Sequence, residues 1–297
     1  LGDYQAGRSL ILDQRVITAF DATLESCIEK IRGAVEQDKE MVAQLLALPS
    51  EAYLSELAEE IDVAGIHTVR EHMADVLAKT LASKFATLYD LNNSEEPYRA
   101  DATGIARRAL KNTCLAYLMR THNAHWLEAC QVQFDNADNM TDVSAALRLL
   151  VNCAMPEAEK VRESVLASFY STWQHEALVV DQWFSIQATS SLPGALERVQ
   201  ELMLHEAFSI KNPNKVRALI GAFCGQNALH FHDISGAGYE FLADRIIQLN
   251  ALNPQIASRL VTPLTRWKKY DNKRQALMRT QLQRISKEKT LSKDVYE

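Results

Sequence analysis

The stretches NPNKVRALIGAF, residues 212–223, and NPQIASRLVTPL, residues 253–264, decide the fold of this chain. Each begins with an Asn followed by a Pro and continues with apolar residues at helical spacing. Asn is a favoured helix N-cap, and Pro suits the first helical position because its missing N–H would have no intrahelical partner there. Both stretches therefore predict the start of a helix.

The two starts lie 41 residues apart, which is the length of one helix-pair repeat in an α-solenoid. Arg217 and Arg259 each follow one to two turns into the predicted helices. Two successive helix pairs are thus predicted to present a cationic side chain to another molecule. The alternative interpretation is that each Arg is a solvated or ion-paired surface residue.

Helical periodicity extends along nearly the whole chain. From Ile66 to Leu88 the apolar positions recur at steps of three and four, which predicts a single amphipathic helix of about six turns. Only 10 Gly and 7 Pro punctuate the 297 residues, and no alternating run requires a strand. The predicted fold class is all-α, with about fourteen to sixteen helices. The expected architecture is a superhelical array of antiparallel helix pairs, an α-solenoid of the HEAT or ARM type shaped as a bowl.

Charge is distributed unevenly. Residues 259–297 contain 11 Lys and Arg against 4 Asp and Glu, whereas the whole chain has a net charge of −6. A basic end is one indication of nucleic-acid binding. Aromatic residues are not spaced along it as stacking platforms, so we favour a solvated helix face. A HEAT-like scaffold that binds a protein or nucleic-acid partner remains the alternative function.

The five cysteines indicate a reducing compartment. Their number is odd, no CxxC pair occurs, and their neighbours are apolar, so we expect free thiols in a cytoplasmic protein. No apolar run approaches the roughly 18 residues that span a bilayer, and no secretory signal opens the chain. Because the chain starts without Met and stops at LSKDVYE, we expect an excised piece of a larger protein.

A complete catalytic constellation is not found in the sequence. The zincin motif places a second His three residues after its Glu, but Val179 follows His175-Glu176 and Ser209 follows His205-Glu206 at that position. His230 and His232 are weak candidates for metal ligands, against the alternative of hydrogen-bonded loop residues. We therefore predict no catalytic residue and no metal ligand in this chain.

The loop FHDISGAGYEFL, residues 231–242, has two interpretations. Gly236 and Gly238 permit backbone conformations that are closed to other residues, and Tyr239 opens a new helical pattern. The loop is either a helix–helix connection or a segment that approaches a ligand or a neighbouring domain.

Elsewhere, the sequence predicts that Trp173, Trp183 and Phe184 pack in the core.

Before the next helix, Asn139 and Met140 are predicted to form a turn, with Thr141 or Asp142 accepting the first N–H groups of that helix.

Several strings together resemble the C-terminal helical domain of bacterial aminopeptidase N, a zinc-dependent alanyl aminopeptidase of the gluzincin class. They are QFDNADNMTDVSAAL from Gln133, FYSTWQHEALVVDQWFSIQA from Phe169, KNPNKVRALIGAF from Lys211, GAGYEFL from Gly236 and LNPQIASRLVTPLTRWKKYDNKRQ from Leu252. The resemblance covers roughly residues 5–297. Gln182 departs from it, because Lys is expected there.

The resemblance implies one C-terminal domain over residues 1–297, which folds over a catalytic domain of the same polypeptide. HExxH, a distant Glu ligand and the zinc cofactor then belong to that upstream domain, and this chain is inactive alone. The helical domain is expected to wall the active-site cavity and restrict the size of peptide substrates. Arg217 and Arg259 match arginines that face this cavity and bind substrate. Neither nucleic acid nor a membrane is an expected partner.

Overall fold

A computed structural model describes residues 1–35, 38–93 and 97–297. These residues form α-helices, one π-helical turn and one 3-10 turn, and they contain no strand beyond a single parallel bridge between Ile61 and Tyr270. The all-α fold class is confirmed. The helices are α1 Gly2–Gln5, α2 Gln14–Arg32, α3 Lys39–Leu45, α4 Glu51–Leu57, α5 Val63–Thr80, α6 Ala82–Asn92, α7 Ala102–Met119, α8 Ala124–Asn136, α9 Met140–Val151, α10 Ala158–Trp173, α11 Ala177–Ala188, α12 Ala195–Leu202, α13 Pro213–Val216, α14 Ala222–Gln226, α15 Ala228–Phe231, α16 Ala237–Asn250, α17 Pro254–Thr265, α18 Asn272–Ser286 and α19 Lys293–Tyr296.

The chain divides into two compact units. The first unit contains Leu1–Pro49 and Thr68–Leu166, and the second unit contains Ser50–His67 and Ala167–Glu297. Within the described helices, none combines the length and the apolarity that crossing a bilayer requires.

The first unit is built on α7, which packs against α3, α6 and α9. Phe85 of α6 stacks on Tyr117 of α7 with ring centroids 4.4 Å apart, and the Tyr117 hydroxyl donates to the carbonyl of Leu46 at 2.7 Å. Lys111 and Asp142 form a buried ion pair at 2.7 Å. The apolar core is thus tied together by polar groups that find partners inside it.

Two local predictions in this region are wrong. The periodicity from Ile66 to Leu88 belongs to two helices, because Leu81 leaves the helical conformation with φ −111° and ψ 17° while staying buried. The cap of α9 is Asn139, whose side chain accepts the N–H of Asp142 at 3.0 Å. Asp142 therefore does not cap the helix, since its carboxylate pairs with Lys111.

The second unit has α11 and α16 at its centre. Helix α11 packs against α12 and the π-helical turn, and α16 packs against α17 and α18. Trp183 and Phe184 are buried, as the sequence predicts. Trp173 is only partly buried at the end of α10, so its placement in the core is wrong.

Candidate functional site

Both Asn-Pro stretches begin helices in the way that the sequence predicts. The side chain of Asn212 accepts the N–H of Asn214 at 2.9 Å, and Pro213 is the first residue of α13. The side chain of Asn253 accepts the N–H of Ile256 at 3.2 Å, ahead of Pro254 in α17. These caps fix the start of each helix and thereby the position of the arginine that follows.

Arg217 lies on the surface of the second unit, five residues after its capping Asn. Its Nε donates to the carbonyl of Pro213 at 3.2 Å, and its Nη2 donates to Oδ1 of Asn214. No carboxylate in the described residues pairs with it. Its charge is held at the start of its own helix but is not neutralised.

Lys215, two residues earlier, is buried and anchors the same segment. Its Nζ lies 2.8 Å from Oδ1 of Asp181 and donates to the carbonyl of Ala177 at 3.1 Å, both on α11. The ammonium also lies 5.6 Å from the ring centroid of Phe184. A buried lysine with these partners ties α13 to α11, so the start of the Arg217 helix is rigidly placed.

Arg217 also opens a π-helical turn, Arg217–Gly221, that sequence reasoning missed. The N–H of Ala222 donates to the carbonyl of Arg217, five residues back, and to Leu219, three residues back. It thereby bypasses Ala218, which would be its partner in an α-helix. The hydroxyl of Ser185 on α11 donates to the carbonyl of Ala218 at 2.9 Å. Apolar periodicity does not distinguish such a turn from the α-helix around it.

Arg259 lies on the surface of α17, six residues after its capping Asn. It makes no hydrogen bond or ion pair with the described part of the chain. Its neighbours Ile256, Ala257 and Leu260 are buried, and α17 packs against α16. The helix is thus fixed by its apolar face, and the Arg259 guanidinium is exposed to solvent.

The loop after α15 forms a tight helix–helix connection around His232. Gly236 has φ 80°, and a Cβ on Gly238 would lie 2.3 Å from the carbonyl oxygen of Phe231. His232 is buried between two hydroxyls, with Nδ1 2.9 Å from Tyr239 and Nε2 2.9 Å from Tyr270. Both ring nitrogens are therefore occupied inside the protein.

Metal-ligating side chains are not grouped in the part of the chain that the structure describes. Within residues 1–35, 38–93 and 97–297, no cluster of three or more His, Cys, Asp or Glu has a geometry that could hold a metal ion. His230 contacts the carbonyl of Ser191 at 2.9 Å. Together with the tyrosine partners of His232, this contact favours hydrogen-bonded structural histidines over metal ligands, with His230 in α15 and His232 in the loop that follows it.

Basic residues of the C-terminal stretch are engaged in contacts within the second unit. Arg274 pairs with Asp271 at 2.7 Å and donates to the carbonyl of His232 at 2.7 Å. Arg284 pairs with Asp244 at 2.5 Å, and the guanidinium carbon of Arg279 lies 5.1 Å from the ring centroid of Trp267. These three of the 11 basic residues in the stretch therefore have partners within the fold.

The chain is similar to bacterial aminopeptidases along nearly its whole length. It is 40% identical to "Aminopeptidase N" of Escherichia coli over 296 residues, 37% to that of Haemophilus influenzae over 294 and 38% to that of Caulobacter vibrioides over 301. Each match covers 99% of this chain and 32%, 32% and 34% of the respective relative. The chain thus spans about a third of the length of these relatives.

A solved structure has the same fold. The crystal structure of Legionella pneumophila aminopeptidase A in complex with aspartic acid superposes with a TM-score of 0.84 at 31% identity, over 99% of this chain and 34% of that one. The predicted resemblance to the C-terminal part of aminopeptidase N is confirmed. Residues 3–297 match the family described as "Domain of unknown function (DUF3458_C) ARM repeats". The chain therefore belongs to this family of ARM-repeat domains.

Proposed function

We propose that this chain is the C-terminal helical domain of a zinc-dependent aminopeptidase, which removes N-terminal amino acids from peptides in the cytoplasm. The observation that carries the proposal is the match to aminopeptidases N from three bacteria over 99% of this chain and about a third of each relative. Residues 1–297 act as one domain whose partner is the catalytic domain of the same polypeptide.

Zinc, in this proposal, is bound by the catalytic domain. The described residues of this chain contain no cluster that fits a metal ion. In this proposal the helical domain forms a wall of the cavity around the active site. This wall limits the length of the peptides that enter and excludes bulk water.

Arg217 and Arg259 are the residues that we assign to substrate binding. Both are exposed near the start of a helix whose cap and apolar face are fixed, and neither is neutralised by a carboxylate of the described chain. A guanidinium so placed can donate to a peptide carbonyl or to the C-terminal carboxylate of a short peptide. Charge-assisted bonds of this kind contribute roughly 1.5–3 kcal/mol.

The alternative, a HEAT-like scaffold for a protein or nucleic-acid partner, receives less support. Nucleic-acid affinity depends on lysines and arginines that are available to phosphates. Arg274, Arg284 and Arg279 are engaged by Asp271, Asp244 and the Trp267 ring instead. An HExxH pattern with a distant Glu in the upstream sequence would support the peptidase, and its absence would support the scaffold.

The proposal is tested by kinetics of the full-length parent protein. Arg217→Ala and Arg259→Ala should each lower kcat/KM for tri- and tetrapeptides about tenfold, because a lost contact of 1.4 kcal/mol corresponds to that factor. A single-residue anilide does not extend to the same contacts and should lose less. Arg266→Ala, at an exposed arginine that follows the last residue of α17 and lies seven residues after Arg259, is the matched control and should leave both substrates unaffected.

An equal loss on both substrate types, or no loss while the fold stays intact, would mean that Arg217 and Arg259 are structural residues.

A further inference from the structure

The π-helical turn at Arg217–Gly221 is a departure from regular structure that the chain maintains inside a well-packed helix. A π turn is rare because its hydrogen bonding is less favourable than that of an α-helix, and such turns occur frequently at functional sites. Here the turn begins at the residue assigned to peptide binding. Arg259, in contrast, lies within α17, which is α-helical from Pro254 to Thr265.

We propose that this π turn sets the direction in which the Arg217 side chain leaves its helix, and that Ser185 is a positioning residue that holds the turn in place. The inference rests on the proposed function, since it assigns Ser185 an effect on substrate only through Arg217. It extends the candidate site from the two arginines to a hydroxyl on the neighbouring helix α11.

The hydrogen bonds of the turn support this role for Ser185. The N–H of Ala222 reaches past Ala218 to Arg217, so the Ala218 carbonyl lacks the bond that an α-helix would supply from Ala222. Ser185 donates to this carbonyl at 2.9 Å. A buried carbonyl that loses a partner is costly, and the Ser185 hydroxyl therefore stabilises the π turn relative to a regular α-helical turn.

The residues on both sides of the π turn are anchored, so a change in its hydrogen bonding affects the direction of Arg217. Before it, Lys215 is held by Asp181 and Ala177 of α11. After it, Phe223 is fully buried. Both flanks are fixed. A change of the backbone hydrogen bonds from a spacing of five residues to one of four residues therefore has to alter the backbone within the turn itself. Arg217, at its first position, would then change its direction.

The test is a set of variants in the full-length parent protein, assayed with a tetrapeptide and with a single-residue anilide. Ser185→Ala should lower kcat/KM for the tetrapeptide by about threefold to tenfold, as expected for the loss of one hydrogen bond, and should leave the anilide unchanged. Ser185→Thr keeps the hydroxyl and should restore most of the activity. Thr189→Val is the matched control, because this neighbouring hydroxyl donates within α11 to the carbonyl of Ser185 at 2.7 Å and not to the π turn.

A double-mutant cycle separates positioning from general stability. In an Arg217→Ala background, Ser185→Ala should cause no further loss on the tetrapeptide. In an Arg259→Ala background, its effect should be fully additive. Amide exchange of the segment 217–226 should be faster in Ser185→Ala than in Thr189→Val.

The outcomes distinguish the two proposals. A loss that persists in the Arg217→Ala background, or that is equal on both substrates, overturns the positioning role of Ser185. If Arg217→Ala lowers tetrapeptide turnover but Ser185→Ala does not, this inference fails while the proposed function stands. If Arg217→Ala has no effect, the peptide-binding role of Arg217 and the inference built on it both fail.

Discussion

The hydroxyl of Tyr270 lies 2.9 Å from Nε2 of His232, in a part of the second unit that is closed to solvent. Tyr239 holds the other ring nitrogen at 2.9 Å. A neutral imidazole donates from one nitrogen and accepts at the other, so two hydroxyls satisfy it completely. Burial, and to a smaller extent repulsion from Arg274 and Arg266, together lower the pKa of His232 from 6.5 to about 3.

The first prediction is a pH dependence of stability that His232 causes. Between pH 6.5 and about 3 the unfolded chain binds a proton at His232 and the folded chain does not, so the free energy of unfolding decreases as the pH falls through this window. From pH 6.5 to pH 5 the decrease should approach about 2 kcal/mol. His232→Gln should lack this contribution.

The measurement is urea unfolding of the 297-residue chain and its His232→Gln variant at pH 8, 7, 6 and 5. The difference in stability between the two should stay constant from pH 8 to pH 7, which serves as the internal control, and should shrink at pH 6 and pH 5. If the free energies of unfolding of the wild-type chain and of His232→Gln change in parallel down to pH 5, His232 is not the cause of the pH dependence.

The second prediction concerns the cap of α17. Asn253→Ala removes the acceptor of the Ile256 N–H and should lower the free energy of unfolding by about 1 kcal/mol. Asn253→Asp keeps an acceptor and should lose much less. Asn272→Ala, at the exposed first residue of α18, is the control, because Asp271 caps that helix. Equal stability of Asn253→Ala and the wild-type chain would show that the Asn-Pro start is dispensable.

The third prediction concerns the thiols. All five cysteines are free and buried, as the sequence predicts, and burial raises the pKa of Cys114, Cys130 and Cys224. Because the thiolate is the reactive form, a maleimide should label the native chain slowly. It should label all five thiols after unfolding without reductant. Rapid labelling of the native chain, or recovery of three thiols or fewer after unfolding, would contradict this prediction.

Sequence reasoning succeeded where a local rule determines the structure. The caps at Asn212 and Asn253 follow from side-chain chemistry alone, and the burial of Phe184 follows from periodicity. The break at Leu81 escaped detection because no Pro or Gly marks it, and the buried positions Leu77, Leu81 and Phe85 keep helical spacing across it.

The candidate site was only partly accessible from sequence. Arg217 and Arg259 could be identified as exposed residues after helix starts, which is where the structure places them. The π turn could not be identified, because the bond that satisfies its Ala218 carbonyl comes from Ser185, which lies 33 residues earlier in the chain. Such a bond exists only once α11 packs against the turn.

The last prediction compares two glycines whose surroundings differ in the structure, Gly238 and Gly225. A Cβ on Gly238 would lie 2.3 Å from the carbonyl oxygen of Phe231 and 3.0 Å from its Cα, and both are backbone atoms that cannot rotate away. Gly238→Ala should therefore separate α16 from α15 and cost more than about 3 kcal/mol, within the range of severe core substitutions. Gly225 in α14 has no heavy atom within 4 Å of its added Cβ, so Gly225→Ala should stabilise the chain by up to about 1 kcal/mol through helix propensity. Thermal and urea unfolding of the two variants should therefore shift in opposite directions from the wild-type chain. If Gly238→Ala and Gly225→Ala have the same unfolding midpoint, the close approach of α16 to Phe231 is not required for the fold.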